Sequence, residues 1–151
     1  MPFIHINIFT DKMLKREKLS NRKNVIDEGI IIVLSLQITL GSIYLGYYPD
    51  VISLLPNAFY FCSAKSLVMI LITILSIAFL IISIGYSSIC FYCINSIDFN
   101  NTENTKLKLK INEYKLQRSK VFLLNSFLVL FICALLIFNI NGHIESAYNF
   151  N

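Results

Sequence analysis

The sequence predicts an all-α integral membrane protein with three transmembrane helices, the N-terminus in the cytoplasm and the C-terminus outside. Two observations predict it. Three long stretches, between Glu28 and Asp50, between Lys65 and Asp98, and between Lys120 and Glu145, contain no Asp, Glu, Lys or Arg. Each exceeds the ~20 residues a helix needs to cross a hydrocarbon layer of ~30 Å. The second observation is where the cations fall. Twelve of the 13 Lys and Arg lie before the first stretch or between the second and third, and only Lys65 lies elsewhere. Basic residues concentrate on the cytoplasmic side of membrane proteins, so residues 1–28 and 95–120 are expected there. The composition agrees. Hydrophobic residues make up 56% of the 151, against about 45–50% in a soluble domain. Three spans fill roughly half the chain and leave no room for a separate soluble domain.

Residues 1–28 form a basic cytoplasmic segment. Ile4, Ile6 and Ile8 alternate with Phe3, His5, Asn7 and Phe9, which is a strand signal of period two. Thr10-Asp11 can cap a following helix that carries Lys12, Lys15, Arg16, Lys18, Arg22 and Lys23. Such a helix is attracted to an anionic membrane surface.

The first span is 29–48. Gln37 lies near its middle, and Ser42 and Gly46 form a small-xxx-small pair that permits close helix approach. Tyr44, Tyr47 and Tyr48 gather at the outer end as an interfacial belt. The span is longer than a signal-peptide core, and Pro49-Asp50 follows instead of a small-residue cleavage site, so a retained signal-anchor is expected. The outer loop, 49–66, is too apolar for a freely solvated loop and is broken by Pro49 and Pro56. It reads as an interfacial re-entry, a flat amphipathic turn, or an outer vestibule in an oligomer.

The second span, 67–94, is too long to cross perpendicularly and must tilt or project. Ser76, Ser83 and Cys90 recur every seven residues, and Ser83 with Ser87 makes a four-residue pair. These share a face suited to another helix. The cytoplasmic loop, 95–120, begins polar and then alternates as Lys106-Leu107-Lys108-Leu109-Lys110-Ile111. That second strand-like stretch can pair with residues 3–9 in a small β-ribbon. The competing picture is a continuous basic helix from about Lys106 into the third span. Lys115, Arg118 and Lys120 complete the basic set. The third span, 121–140, carries Asn125, Ser126, Cys133 and Asn139. An outer tail, 141–151, is expected to be disordered.

Little chemistry is expected. Cys90-Phe91-Tyr92-Cys93 is a C-x-x-C motif, but no second C-x-x-C or nearby His completes a four-ligand zinc set. The cysteines read as small packing residues. The spans contain no Asp, Glu, Lys, Arg or His, the groups on which proton relays and ion-coupled carriers depend. No enzymatic activity, cofactor or nucleic-acid partner is expected, because the positive-inside pattern accounts for the basic stretches.

The expected function is that of a small inner-membrane protein of a bacterium, oligomeric or docking a cytoplasmic protein through its basic arms. A phage-defence effector or sensor, or a bacteriocin-immunity type protein, is the favoured kind. The alternative is a holin-like or channel-forming protein. Gln37, Ser42, Gly46, Ser76, Ser83, Ser87 and Asn125 are the helix-packing or pore-lining candidates. Membrane lipid is a partner under either reading.

Overall fold

The computed structural model describes residues 3–53, 56, 64–99 and 101–148. Regular structure among them is helical throughout: α1 (Phe3–Ser53), α2 (Ala64–Asn95) and α3 (Thr102–Tyr148). Each contains a segment long and apolar enough to cross a membrane, within Thr10–Tyr47, Ser66–Asn95 and Thr102–Leu136. Large hydrophobic side chains face outward along all three, among them Ile38, Leu45, Ile74, Ile81, Leu124 and Phe127. An exterior of that kind is suited to lipid rather than water.

The buried positions follow a seven-residue rule. In α1 they are Leu19, Ile26, Val33 and Leu40, with Ile30, Gln37 and Tyr44 each four residues on from one of them. In α2 the two series are Ser66, Thr73, Leu80, Ser87, Ile94 and Met69, Ser76, Ser83, Cys90, the second continued just past the helix end by Ile97. In α3 they are Thr105, Asn112, Ser119, Ser126, Cys133 and Leu109, Leu116, Leu123. Alternating steps of three and four keep one stripe of a helix facing its neighbours, as in heptad packing.

Two corrections to the sequence reading follow from that stripe. The predicted β-ribbon does not form: residues 3–9 belong to α1, residues 106–111 belong to α3, and no strand occurs among the described residues. Alternation over six residues loses to the longer period in which Thr105, Leu109, Asn112 and Leu116 all reach the interior. Leu109 is fully buried, while Leu107 and Ile111, its partners in the alternation, are exposed. The basic helix continuing into the third span is the arrangement observed. The predicted disordered tail is helical as far as Tyr148. Both ends have the same cause: extending an existing helix adds a hydrogen bond for each residue ordered, whereas starting a new element carries a nucleation cost. Most of the apolar 49–66 loop lies outside the described residues. Its first part continues α1 through Pro49 and ends within about one turn, at Ser53.

The α2–α3 turn is defined by local hydrogen bonds. Asn101 caps α3: its Oδ1 accepts from the Asn104 amide at 3.2 Å, and its carbonyl accepts from Thr105 N at 3.0 Å. Thr105 Oγ1 donates to the carbonyls of Asp98 (2.8 Å) and Asn101 (2.7 Å). Glu103 in the first turn complements the helix dipole.

The chain divides into two compact units. The first comprises Met1–Leu36 and Ser83–Lys120, the second Gln37–Ile82 and Val121–Asn151. In the first, Gly29 of α1 is buried, and a methyl group added there would lie 2.8 Å from Leu116 Cδ2. In the second, the rings of Phe79 and Phe122 meet at 6.1 Å between centroids.

Candidate functional site

Hydroxyl pairs join α2 to α3 within each unit. In the first unit Ser83 Oγ donates to the Ser119 carbonyl and Ser119 Oγ to the Ser83 carbonyl, both at 2.8 Å. One heptad further along α2 and one heptad earlier in α3, Cys90 Sγ donates to the Asn112 carbonyl at 3.3 Å. In the second unit Ser76 and Ser126 repeat the reciprocal arrangement at 2.6 and 2.8 Å. Side chains this small let the two backbones approach until a hydroxyl reaches the opposite carbonyl. All four serines are fully buried.

The second unit adds α1 to its network. The Tyr44 hydroxyl bonds to Ser76 Oγ and lies 3.1 Å from Ser126 Oγ. Both serine protons are committed to carbonyls, so Tyr44 is the donor and the serine oxygens accept. Tyr47 OH approaches Cys133 Sγ at 3.6 Å, and Thr73 Oγ1 approaches the same sulfur at 3.8 Å.

The candidate packing residues divide. Gln37, Ser76, Ser83 and Ser87 are buried within this single chain. Ser42 is exposed, and its hydroxyl bonds its own helix at Ile38 O, 2.9 Å. Gly46 is exposed, with nothing within 4 Å of where a side chain would begin. Asn125 is exposed, whereas Ser126 beside it is buried. Sequence reasoning missed Thr105, Asn112 and Ser119. The signal was present: Thr105, Asn112, Ser119, Ser126 and Cys133 recur every seven residues. Asn112 is unusual among them, because its buried side-chain amide has no hydrogen-bond partner at either Nδ2 or Oδ1.

The C-x-x-C cysteines have separate surroundings. Cys90 is buried, and half-buried Cys93 accepts from Lys115 Nζ at 3.6 Å. Among the described residues no group of three or more His, Cys, Asp or Glu is placed to hold a metal ion.

The basic residues also divide. Lys15, Lys18 and Arg22 of α1 and Lys106 and Lys110 of α3 line one groove of about 590 Å³ in the first unit, with Leu19, Leu107 and Glu103. Arg22 forms a bidentate ion pair with Glu113. That hydrogen bond holds the Glu113 carboxyl below its ordinary value and raises the Arg22 guanidinium further. Lys15 pairs with Asp11 at 2.7 Å. Arg118 lies over the Tyr114 ring at 5.0 Å and donates to its hydroxyl. Lys12, Arg16, Lys23, Lys108, Lys115 and Lys120 stand outside the groove.

Comparison with protein-family models, with curated proteins and with solved structures returns no match. The site is therefore defined by its own geometry: a polar seam inside apolar helices, and a basic groove on their charged extensions.

Proposed function

We propose that this protein is a non-enzymatic, three-span membrane subunit whose basic helical extensions dock a cytoplasmic protein. One observation carries the reading. The polar side chains Gln37, Ser76 and Ser83 are buried between helices of one chain, and the exterior beside them is mostly Ile, Leu and Phe, with Ser42 and Asn125 the exposed candidates. A pore built from several copies would need those polar groups turned toward the other copies. The cations, by contrast, remain accessible on α1 and α3. The charge asymmetry supports placing those extensions in the cytoplasm, with the C-terminus across the membrane. A bacterial inner membrane, and a role as a phage-defence effector or sensor or as a bacteriocin-immunity protein, are the setting we favour on size and composition.

Gentle extraction from the native membrane, followed by mass measurement of the complex, tests this. A stoichiometric soluble protein is expected, lost when Lys108, Lys115 and Arg118 are replaced by Gln. A homo-oligomer without such a protein, together with collapse of the membrane potential on overexpression, would replace this reading with the channel.

A further inference from the structure

The two basic arms appear in the sequence as separate topology signals about ninety residues apart, yet they form one groove. α1 contributes Lys15, Lys18, Leu19 and Arg22, and α3 contributes Glu103, Lys106, Leu107 and Lys110. Both sets have the spacing i, i+3, i+4, i+7, so each helix turns one continuous face toward the groove. The helices run parallel here, as the pairing of Arg22 with Glu113 and the approach of Gly29 to Leu116 require. Two rows that are basic apart from Glu103 therefore lie side by side. Lys18, Lys106 and Lys110 have no acidic partner among the described residues. Water and salt screen the repulsion between such exposed cations in part, and an anion bound between them would relieve it further.

The position along the helices narrows what that anion is. At 1.5 Å per residue, Arg22 lies about 10 Å from Gly29, where the apolar run begins, and Lys15 about 21 Å. Lys110 and Lys106 lie about 16 and 22 Å from Val121, the start of the run in α3. The headgroup layer is only about 5–8 Å deep on each side of the hydrocarbon. On the membrane-spanning reading, the groove thus opens beyond the headgroups. Its volume of about 590 Å³ suits a small molecule.

We infer that the groove between α1 and α3 is a binding site for a soluble, multivalent phosphate-bearing anion, held by Lys18, Lys106 and Lys110 with Lys15 and Arg22 at its margin. The inference rests on the membrane-spanning assignment and is independent of the docked protein.

The test is calorimetric titration of sodium tripolyphosphate into the full chain, reconstituted in nanodiscs of phosphatidylcholine alone. Saturable one-to-one binding is expected, weakened at least tenfold in Lys18→Gln/Lys106→Gln. Lys108→Gln, which removes one charge from the same helix outside the groove, should change affinity less than twofold. Circular dichroism of each variant checks that the helices persist, and Lys110→Gln provides an independent second variant. Absence of saturable binding would overturn the site. So would equal weakening by Lys108→Gln, which would mean unspecific attraction. Binding that occurs only when nanodiscs contain a polyphosphoinositide, and never with tripolyphosphate, would overturn the soluble ligand in favour of a lipid headgroup.

Discussion

The two compact units share the reciprocal serine pairing between α2 and α3 but differ in the apolar side chains packed beside it. The first buries many branched aliphatic residues: Leu19, Ile26, Ile30, Val33, Ile94, Ile97, Leu109 and Leu116. Its outer surface includes the charged faces of α1 and α3. The second buries fewer branched aliphatic residues, and in its interior the Tyr44 hydroxyl of α1 joins the Ser76 and Ser126 pair. Its exterior is mostly hydrocarbon, with Ser42 and Asn125 among the exposed polar exceptions. On the membrane-spanning reading, the difference follows from what surrounds each. Where water is outside, burying Leu or Ile removes apolar surface from water, at about 25 cal/mol per Å². Where lipid is outside, exchanging lipid contacts for protein contacts gains little, and close packing with hydrogen bonds must supply specificity.

The largest effect separates the units directly. Leu109→Ala should destabilise by about 2–5 kcal/mol, because its fully buried side chain leaves a cavity beside the charged helix faces. Leu123→Ala, in the lipid-flanked unit, should cost clearly less. Unfolding in mixed micelles with increasing sodium dodecyl sulfate measures both. Equal losses would break the contrast.

Asn112 gives a prediction of opposite sign. Its amide is buried without a hydrogen-bond partner, a condition that costs about 1–3 kcal/mol. Asn112→Leu should therefore stabilise by a similar amount and raise the unfolding midpoint. A single buried polar residue in a heptad seam can specify register at the expense of stability. Loss of the Ser83–Ser119 approach in the variant, read by crosslinking of cysteines placed there, would assign Asn112 that role.

The serine network should respond more gently. Ser76→Ala removes one donor between helices and should cost about 0.6–1.7 kcal/mol. Tyr44→Phe should cost a similar amount. The double variant should cost less than the sum of the two, since both act on one shared network. Additivity would mean that Tyr44 and Ser76 act independently.

The smallest effect belongs to the surface pair. Both Arg22 and Glu113 are more than a third solvent-exposed at the side chain, so screening limits Glu113→Gln to a loss of about 1 kcal/mol or less. The sign with pH is defined. The Glu113 carboxyl is held below its ordinary value of 4.5 by Arg22. Its stabilisation is therefore full above that value and is lost as pH falls through the lowered one. Raised salt should remove part of it at any pH.

Some of this architecture was written openly in the chain. Three charge-free runs are sufficient for three spans, because a charged side chain in the hydrocarbon centre is costly. The recurrence of Ser76, Ser83 and Cys90 identified an interior face of α2, since every seventh residue of a helix returns to nearly the same side. The matching series in α3 is equally regular but is overlaid by the shorter Lys–Leu alternation. Residues 3–9 show the same conflict: a local period-two pattern yields to the long helix it begins.

What only the tertiary structure decided is which residues meet. Heptad spacing puts serines on a face but does not say that Ser83 opposes Ser119 and Ser76 opposes Ser126. That depends on the antiparallel register between α2 and α3. Nor could the chain alone join Lys18 to Lys106 and Lys110 in one groove, because that requires α1 and α3 to run parallel beside each other. Span number and helical faces follow from the cost of exposing charge and backbone to hydrocarbon, which each segment meets alone. Pairing depends on contacts between segments far apart in the chain, and no single segment contains them.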